Sequence, residues 1–139
     1  MKFARSSKPE LEMAHRFKTH YTREEARALL PLIRTWLDQL SFARRELEKL
    51  DRQISQMLGL GDDLGGEMIN KYVKTLAQCK DILQRFAGRE IMIKDLDRGL
   101  IDFPAFVGGK EVFLCWEKGE EDVEFWHDLD TGFGGRERL

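Results

Sequence analysis

Cysteine is scarce in this 139-residue chain, which has only Cys79 and Cys115. Two thiols on separate segments cannot form a disulfide framework, and nothing in their spacing makes them a pair. Small secreted scaffolds that depend on cross-links are excluded, and a cytoplasmic protein with reduced thiols is expected. Long apolar runs are missing too. None approaches the roughly 18 residues needed to span a bilayer. The opening stretch, MKFARSSKPELEMAHRF, lacks the apolar segment of a leader or anchor, so neither is expected. Nor does one sign of charge dominate. Acids number 25 and bases 23, for a formal net charge of -2, and the two signs are interspersed. No field of this kind attracts nucleic acid or an anionic membrane, and neither is expected as a partner. Paired CxxC and HExxH spacings are absent, so no metal ligand set and no cofactor is read from the sequence.

What is present suits a globular domain. Hydrophobic residues make up 42% and charged residues 35%, too apolar for a disordered chain. Residues 1–20 read as a polar extension, and 21–139 as a single α+β domain. Within it, 21–88 form a helical hairpin and 89–139 a small sheet with a C-terminal loop. At Tyr21-Thr22-Arg23-Glu24-Glu25-Ala26, Thr22 can cap a helix while Glu25 reaches back to close a capping box. Apolar residues then recur in steps of three and four at Leu29, Ile33, Trp36, Leu40, Ala43, Leu47, Leu50, Ile54 and Met57. That spacing predicts a long helix with a coiled-coil-like seam. Pro31 removes a backbone donor and predicts a kink near 27–31. After a connector at 59–66, a second seam runs Ile69, Tyr72, Leu76, Cys79, Leu83, Phe86, and Gly88 ends it. A short connector between two seamed helices makes an antiparallel hairpin. Leu30, Leu32, Leu37 and Phe42 lie beside the first seam, more apolar surface than one partner helix covers, which predicts a homodimer.

Beyond Gly88 the pattern is β, and three to four antiparallel strands are expected. Glu90–Lys94 and Gly99–Phe103 form a first hairpin, with Gly99 free to take a positive φ. Pro104 predicts that the second of these strands ends or lies at an edge. Lys110–Glu117 and Asp122–Asp128 form another hairpin. A type II′ turn at Gly119-Glu120 would pair Trp116 with Val123, Leu114 with Phe125 and Val112 with His127 on a core face. The opposite face would then carry Phe113 against Trp126 and Cys115 against Glu124. An aromatic pair there is unusual for a solvated face. Phe113, Cys115, Trp126 and Phe133 are therefore candidates either for burial under the C-terminal loop or for contact with a protein partner.

Four polar residues carry the remaining chemistry. Asp102 and Glu120 could act as an acid/base pair, though a strand residue facing solvent and a turn residue would look the same. His127 could ligate or catalyse, or it could bond a carbonyl or an acid at the end of the core face. The expected register sends His127 and Cys115 to opposite faces, against a dyad. The glycines of GFGGR could offer backbone amides to an anion such as a nucleotide, with Arg136 as countercharge.

The stretches YTREEARALLPLI, IKDLDRGLIDFPA, LCWEKGE, EFWH and GFGGR resemble, in this order, the bacterial and archaeal family catalogued as domain of unknown function 2203. The resemblance covers about residues 20–139. It implies a fold and a signature but no activity, since the family is uncharacterised. Its signature positions fall here at Asp102, Phe103, Pro104, Cys115, Trp116, Gly119, Glu120, Trp126, His127, Gly132, Phe133 and Arg136. The expected function is a small cytoplasmic interaction or scaffold protein that self-associates through its hairpin. The alternative is a metal- or anion-dependent enzyme around Asp102, Glu120, His127 and Arg136.

Overall fold

The computed structural model describes residues 15–61 and 66–139. The expected polar extension lies outside the described residues up to position 14, and the expected connector does so over 62–65. The elements are α1 (Arg23–Gly59), α2 (Gly66–Ala87), β1 (Met92–Asp95), β2 (Leu100–Val107), β3 (Lys110–Glu117), β4 (Phe125–Asp128) and β5 (Glu137–Arg138). A single 3-10 turn at Phe133–Gly135 precedes β5. The class is α+β, with two helices among the described residues followed by one antiparallel sheet in the order β1-β2-β3-β4-β5. The sheet has five strands, not three or four, because the short tail pairs Phe125 with Arg138 and Trp126 with Glu137. The described residues form two compact units, one within 30–88 and one combining 15–29 with 89–139. No described helix is long and apolar enough to cross a membrane.

α1 begins at the expected capping box. The Glu25 amide donates to Thr22 Oγ1 at 3.1 Å, and the Thr22 amide donates to Glu25 Oε1 at 2.9 Å. Two otherwise unpaired donors of the first turn are thereby satisfied. Pro31 lies inside the helix without ending it. Within residues 30–88 the two helices run antiparallel. The Trp36 ring meets Phe86 edge-on at 5.4 Å, and Glu46 lies 3.8 Å from Lys71. The first seam holds through Ile33, Trp36, Leu40, Ala43 and Leu50, all buried. Leu30 and Leu37 are buried as well, so only Leu32 and Phe42 of the four extra apolar residues remain on the surface. The second seam is displaced around the helix from the expected one. Its buried residues are Thr75, Cys79, Ile82 and Phe86, whereas Ile69, Leu76 and Leu83 are exposed. Thr75 can face inward because its hydroxyl donates to the Lys71 carbonyl at 2.8 Å, which leaves no orphaned polar atom. After Ala87 the left-handed residue is Glu90, with φ 56°, and not Gly88.

In the sheet, Gly99 takes the positive φ expected of it, 66°. β2 then runs through Pro104 to Val107 as an interior strand, against the expectation of an end or an edge there. The reason lies in which side Pro104 turns toward β1. β1 has already run out, its last pair being Met92 with Asp102, and the Pro104 carbonyl accepts instead from the Tyr21 amide at 2.7 Å. A strand residue points its N and O to the same side, so the donor that proline lacks costs no ladder bond. Gly108 and Gly109 turn β2 into β3 with φ 60° and 80°, as a two-residue hairpin loop requires.

The β3–β4 pairing differs from the expected register by one residue. Phe113 faces His127, Leu114 faces Trp126 and Cys115 faces Phe125. The turn bond runs from the Glu120 amide to the Glu117 carbonyl at 2.9 Å, which makes Lys118-Gly119 its centre and not Gly119-Glu120. The chain then continues through 118–124 before β4 begins. Asp122 fastens that loop, accepting from Arg27 Nε at 2.7 Å and Nη2 at 2.8 Å, with Arg23 at 3.4 Å. A loop held in this way frees the register from two-residue hairpin geometry. Because the side-chain period of a strand is two, the slip moves every β4 side chain to the other face.

Candidate functional site

One sheet face carries two rows of directly paired residues. The first is Met92, Asp102, Cys115 and Phe125; the second is Pro104, Phe113 and His127. Asp102 on β2 and His127 on β4 therefore lie diagonally across β3, with the small side chain of Cys115 beside them. His127 Nε2 is 3.1 Å from Asp102 Oδ1 and 3.0 Å from Oδ2. Its Nδ1 lies 2.7 Å from the Asp128 carbonyl oxygen. A carbonyl only accepts, so Nδ1 carries a proton. Asp102 and His127 are 1% exposed and Cys115 0%. Burial works to strip the second proton from His127. It is outweighed by hydrogen bonds to Asp102, Cys115 and the Asp128 carbonyl and by the Asp102 charge, which push its pKa up to about 10. The imidazolium form of His127 is thereby favoured beside Asp102, where a partner side chain stands in for water.

Arg136 joins this pair to the turn. Its Nη1 lies 3.8 Å from Cys115 Sγ and 3.2 Å from Glu120 Oε1, and its Nη2 meets Glu120 Oε2. Glu120 in turn accepts from the Glu117 amide at 2.8 Å, while its own carbonyl accepts from Trp116 Nε1 at 2.9 Å. The Arg136 guanidinium stacks 3.8 Å from the Phe125 ring centre and 4.3 Å from that of Phe133. Planarity, bidentate donation and weak hydration suit arginine to such a position.

The four polar candidates Asp102, Glu120, His127 and Arg136 are thus brought together, through Cys115. Several placements differ from expectation. Asp102 is a buried member of an ion pair and not a solvent-side residue. His127 shares the face of Cys115, because the expected register was off by one. Asp102 and Glu120 are not paired; each bonds a cation of its own. Arg136 of the glycine loop already has Glu120 as its counterion. Of the residues considered for a partner surface, Phe113 and Cys115 are buried, and Trp126 lies on the other face, half-buried, as is Phe133. The pairing of Phe113 with Trp126 is therefore not formed. Cys115 has a histidine and an arginine as neighbours, the surroundings that activate a thiol, but lacks the access that a nucleophile needs.

Sequence reasoning missed the segment that precedes α1. Phe17 packs edge-on against Phe113 at 5.3 Å. Glu111 collects the amides of Arg16 and Phe17 at 2.8 and 3.0 Å and His20 Nε2 at 2.8 Å. Glu90 does the same for the amides of Lys18 and Thr19, at 2.8 and 2.7 Å. Burial favours the neutral form of both carboxyls, yet these bonds hold each below the ordinary glutamate value. Nothing in the spacing of a polar segment announces partners some 70 to 95 residues away.

The chain belongs to the family described as "Uncharacterized conserved protein (DUF2203)", which matches residues 19–139. No curated protein matches it. No solved structure does either.

Proposed function

We propose that this member of the family is a self-associating module of the cytoplasm whose α2 pairs with α2 of a second copy. One observation supports the reading. Along α2, Ile69, Val73, Leu76 and Leu83 form an apolar stripe that the hairpin leaves exposed, with Val73 at 58%, Leu76 at 50% and Leu83 at 47%. The steps of four, three and seven are those of a helix–helix seam. The stripe is also self-complementary. Ile69 and Leu83 lie equally far from Leu76 along the helix, so a two-fold axis through Leu76 sets Ile69 of one chain on Leu83 of the other. Lys80 interrupts the stripe, and its aliphatic stem can lie along the partner's Val73. With interspersed charge and a net of -2, neither nucleic acid nor a membrane is proposed as partner.

Sedimentation of the full chain over a wide concentration range tests the reading. A dimer that Leu76→Glu converts to a monomer supports it. A native chain that stays monomeric at high concentration sinks it, as does a dimer indifferent to Leu76→Glu.

A second reading, a metal- or anion-dependent enzyme, draws support from the convergence of Asp102, Glu120, His127 and Arg136 around Cys115. Its anion version is the weaker, because Glu120 already occupies Arg136. Phosphate or nucleotide should leave the thermal midpoint unmoved, and a clear rise would restore it.

A further inference from the structure

We infer that Asp102, Cys115 and His127 form a site for a divalent transition-metal ion of the zinc class. One potential ligand atom from each lies within 4.8 Å of the other two. The three stand on adjacent strands, β2, β3 and β4, and point to one face of a sheet that fixes their spacing. Closeness is common to a metal site and a buried ion pair, and so is the orientation of His127; what marks the cluster as a ligand set is a third donor, Cys115 Sγ, beside Asp102 and His127. Nδ1 is committed to the Asp128 carbonyl at 2.7 Å, which leaves Nε2 as the ligating nitrogen. Ligating histidines are held in this way, with the other ring N–H donated to a carbonyl or carboxylate.

Charge supports the same conclusion. A carboxylate and a thiolate balance a divalent cation, and neutral imidazole adds none. Arg136, which approaches Cys115 Sγ to 3.8 Å, is itself balanced by Glu120. The site with metal is then neutral in sum, as a buried centre must be. Binding replaces the Cys115 S–H proton and the His127 Nε2 proton, both released to solvent, and involves no redox change. Mixed N, S and O donors suit zinc and its neighbours and not magnesium or calcium, which take oxygen alone. Three protein ligands leave the fourth tetrahedral position open to a water or a substrate atom. On this face Phe17 packs against Phe113, and Arg136, which lies over the rings of Phe125 and Phe133, approaches Cys115, so segments from the two ends of the described chain cover it. An ion therefore enters by displacement of these segments and not through an open cleft.

The test uses the full chain, stripped with a chelator and titrated with cobalt(II) chloride, then with zinc chloride. The expected result is a thiolate-to-cobalt charge-transfer absorption that saturates at about one ion per chain, is bleached by zinc and is accompanied by acid release. Cys115→Ser should lose the band while keeping its circular dichroism. Cys79→Ser, in which Cys115 is the sole thiol, should keep the band. Absence of the band in the native chain overturns the inference, as does its survival in folded Cys115→Ser. If Cys115→Ser does not fold, Cys79→Ser decides: a retained band supports the site, and a lost band rejects it.

Discussion

Asp102 and His127 stand on strands that are not neighbours, yet their side chains meet at 3.0 Å over the strand between them. The pair ties β2 to β4 across β3 with charges that water does not reach. Removing one partner leaves the other charge buried and alone, which typically costs about 3–5 kcal/mol. Asp102→Ala in metal-free protein is expected to lose that much in urea unfolding at neutral pH. Replacing both residues with apolar ones should lose less than the two single losses added, because no charge is then stranded. A single loss below about 1 kcal/mol would place the pair among interactions that contribute little.

Arg136 offers a different contrast, between charge and shape. Arg136→Lys keeps the charge but loses the two-pronged contact with Glu120 and the stacking on Phe125 and Phe133. Cation–π contacts of this kind contribute about 0.5–2 kcal/mol. Lysine should therefore destabilise nearly as much as alanine. It should also speed hydrogen exchange at Leu139, whose amide bonds the Glu124 carbonyl at 2.8 Å. If lysine behaves like the native residue, charge alone suffices at this position.

How far the sequence carried the fold differs from element to element, for physical reasons. The three-and-four spacing from Ile33 to Leu50 is set by the helix itself, so the hairpin and its capping box were readable locally. The face that α2 turns inward was not. Thr75 and Leu76 are adjacent, and only packing decides that the threonine is buried and the leucine exposed. The site residues were legible as types, since Asp102, Glu120, His127 and Arg136 have no obligatory packing role. Their assembly was not, because it hangs on a one-residue register. The loop before β4 is fastened where Asp122 meets Arg27, 95 residues away in the chain, a contact that no local pattern encodes. Pro104 misled for a related reason: its missing donor falls where β1 has ended, and strand length is a tertiary fact.

Gly99 tests the β1–β2 turn. It has φ 66°, and a Cβ built there would lie 2.5 Å from Lys118 Cβ. Gly99→Ala thus meets both backbone strain and a collision close to a neighbour's main chain. A loss of about 1–3 kcal/mol is expected. Gly109, with φ 80°, has nothing within 4 Å of its virtual Cβ, so Gly109→Asn should cost clearly less, since asparagine tolerates this conformation. Equal losses in thermal or urea unfolding would mean that the clash with Lys118 is relieved at no cost.

Glu111 supplies the pH dependence. Burial favours its neutral form, but the amides of Arg16 and Phe17 and the ring of His20 bond the carboxylate and hold its pKa below the ordinary 4.5. A depressed folded value means that its contribution is fully present above the unfolded value. It is lost as pH falls through the lower, folded one. Native protein should therefore exceed Glu111→Gln in stability at neutral pH, and the difference should shrink as pH drops below 4.5. In the variant the amides of Arg16 and Phe17 should also exchange faster at neutral pH, because glutamine has one acceptor oxygen where both amides and His20 now share two. A gap between the two proteins that stays constant through the acid range would assign the stabilisation to packing of the side chain and not to its charge.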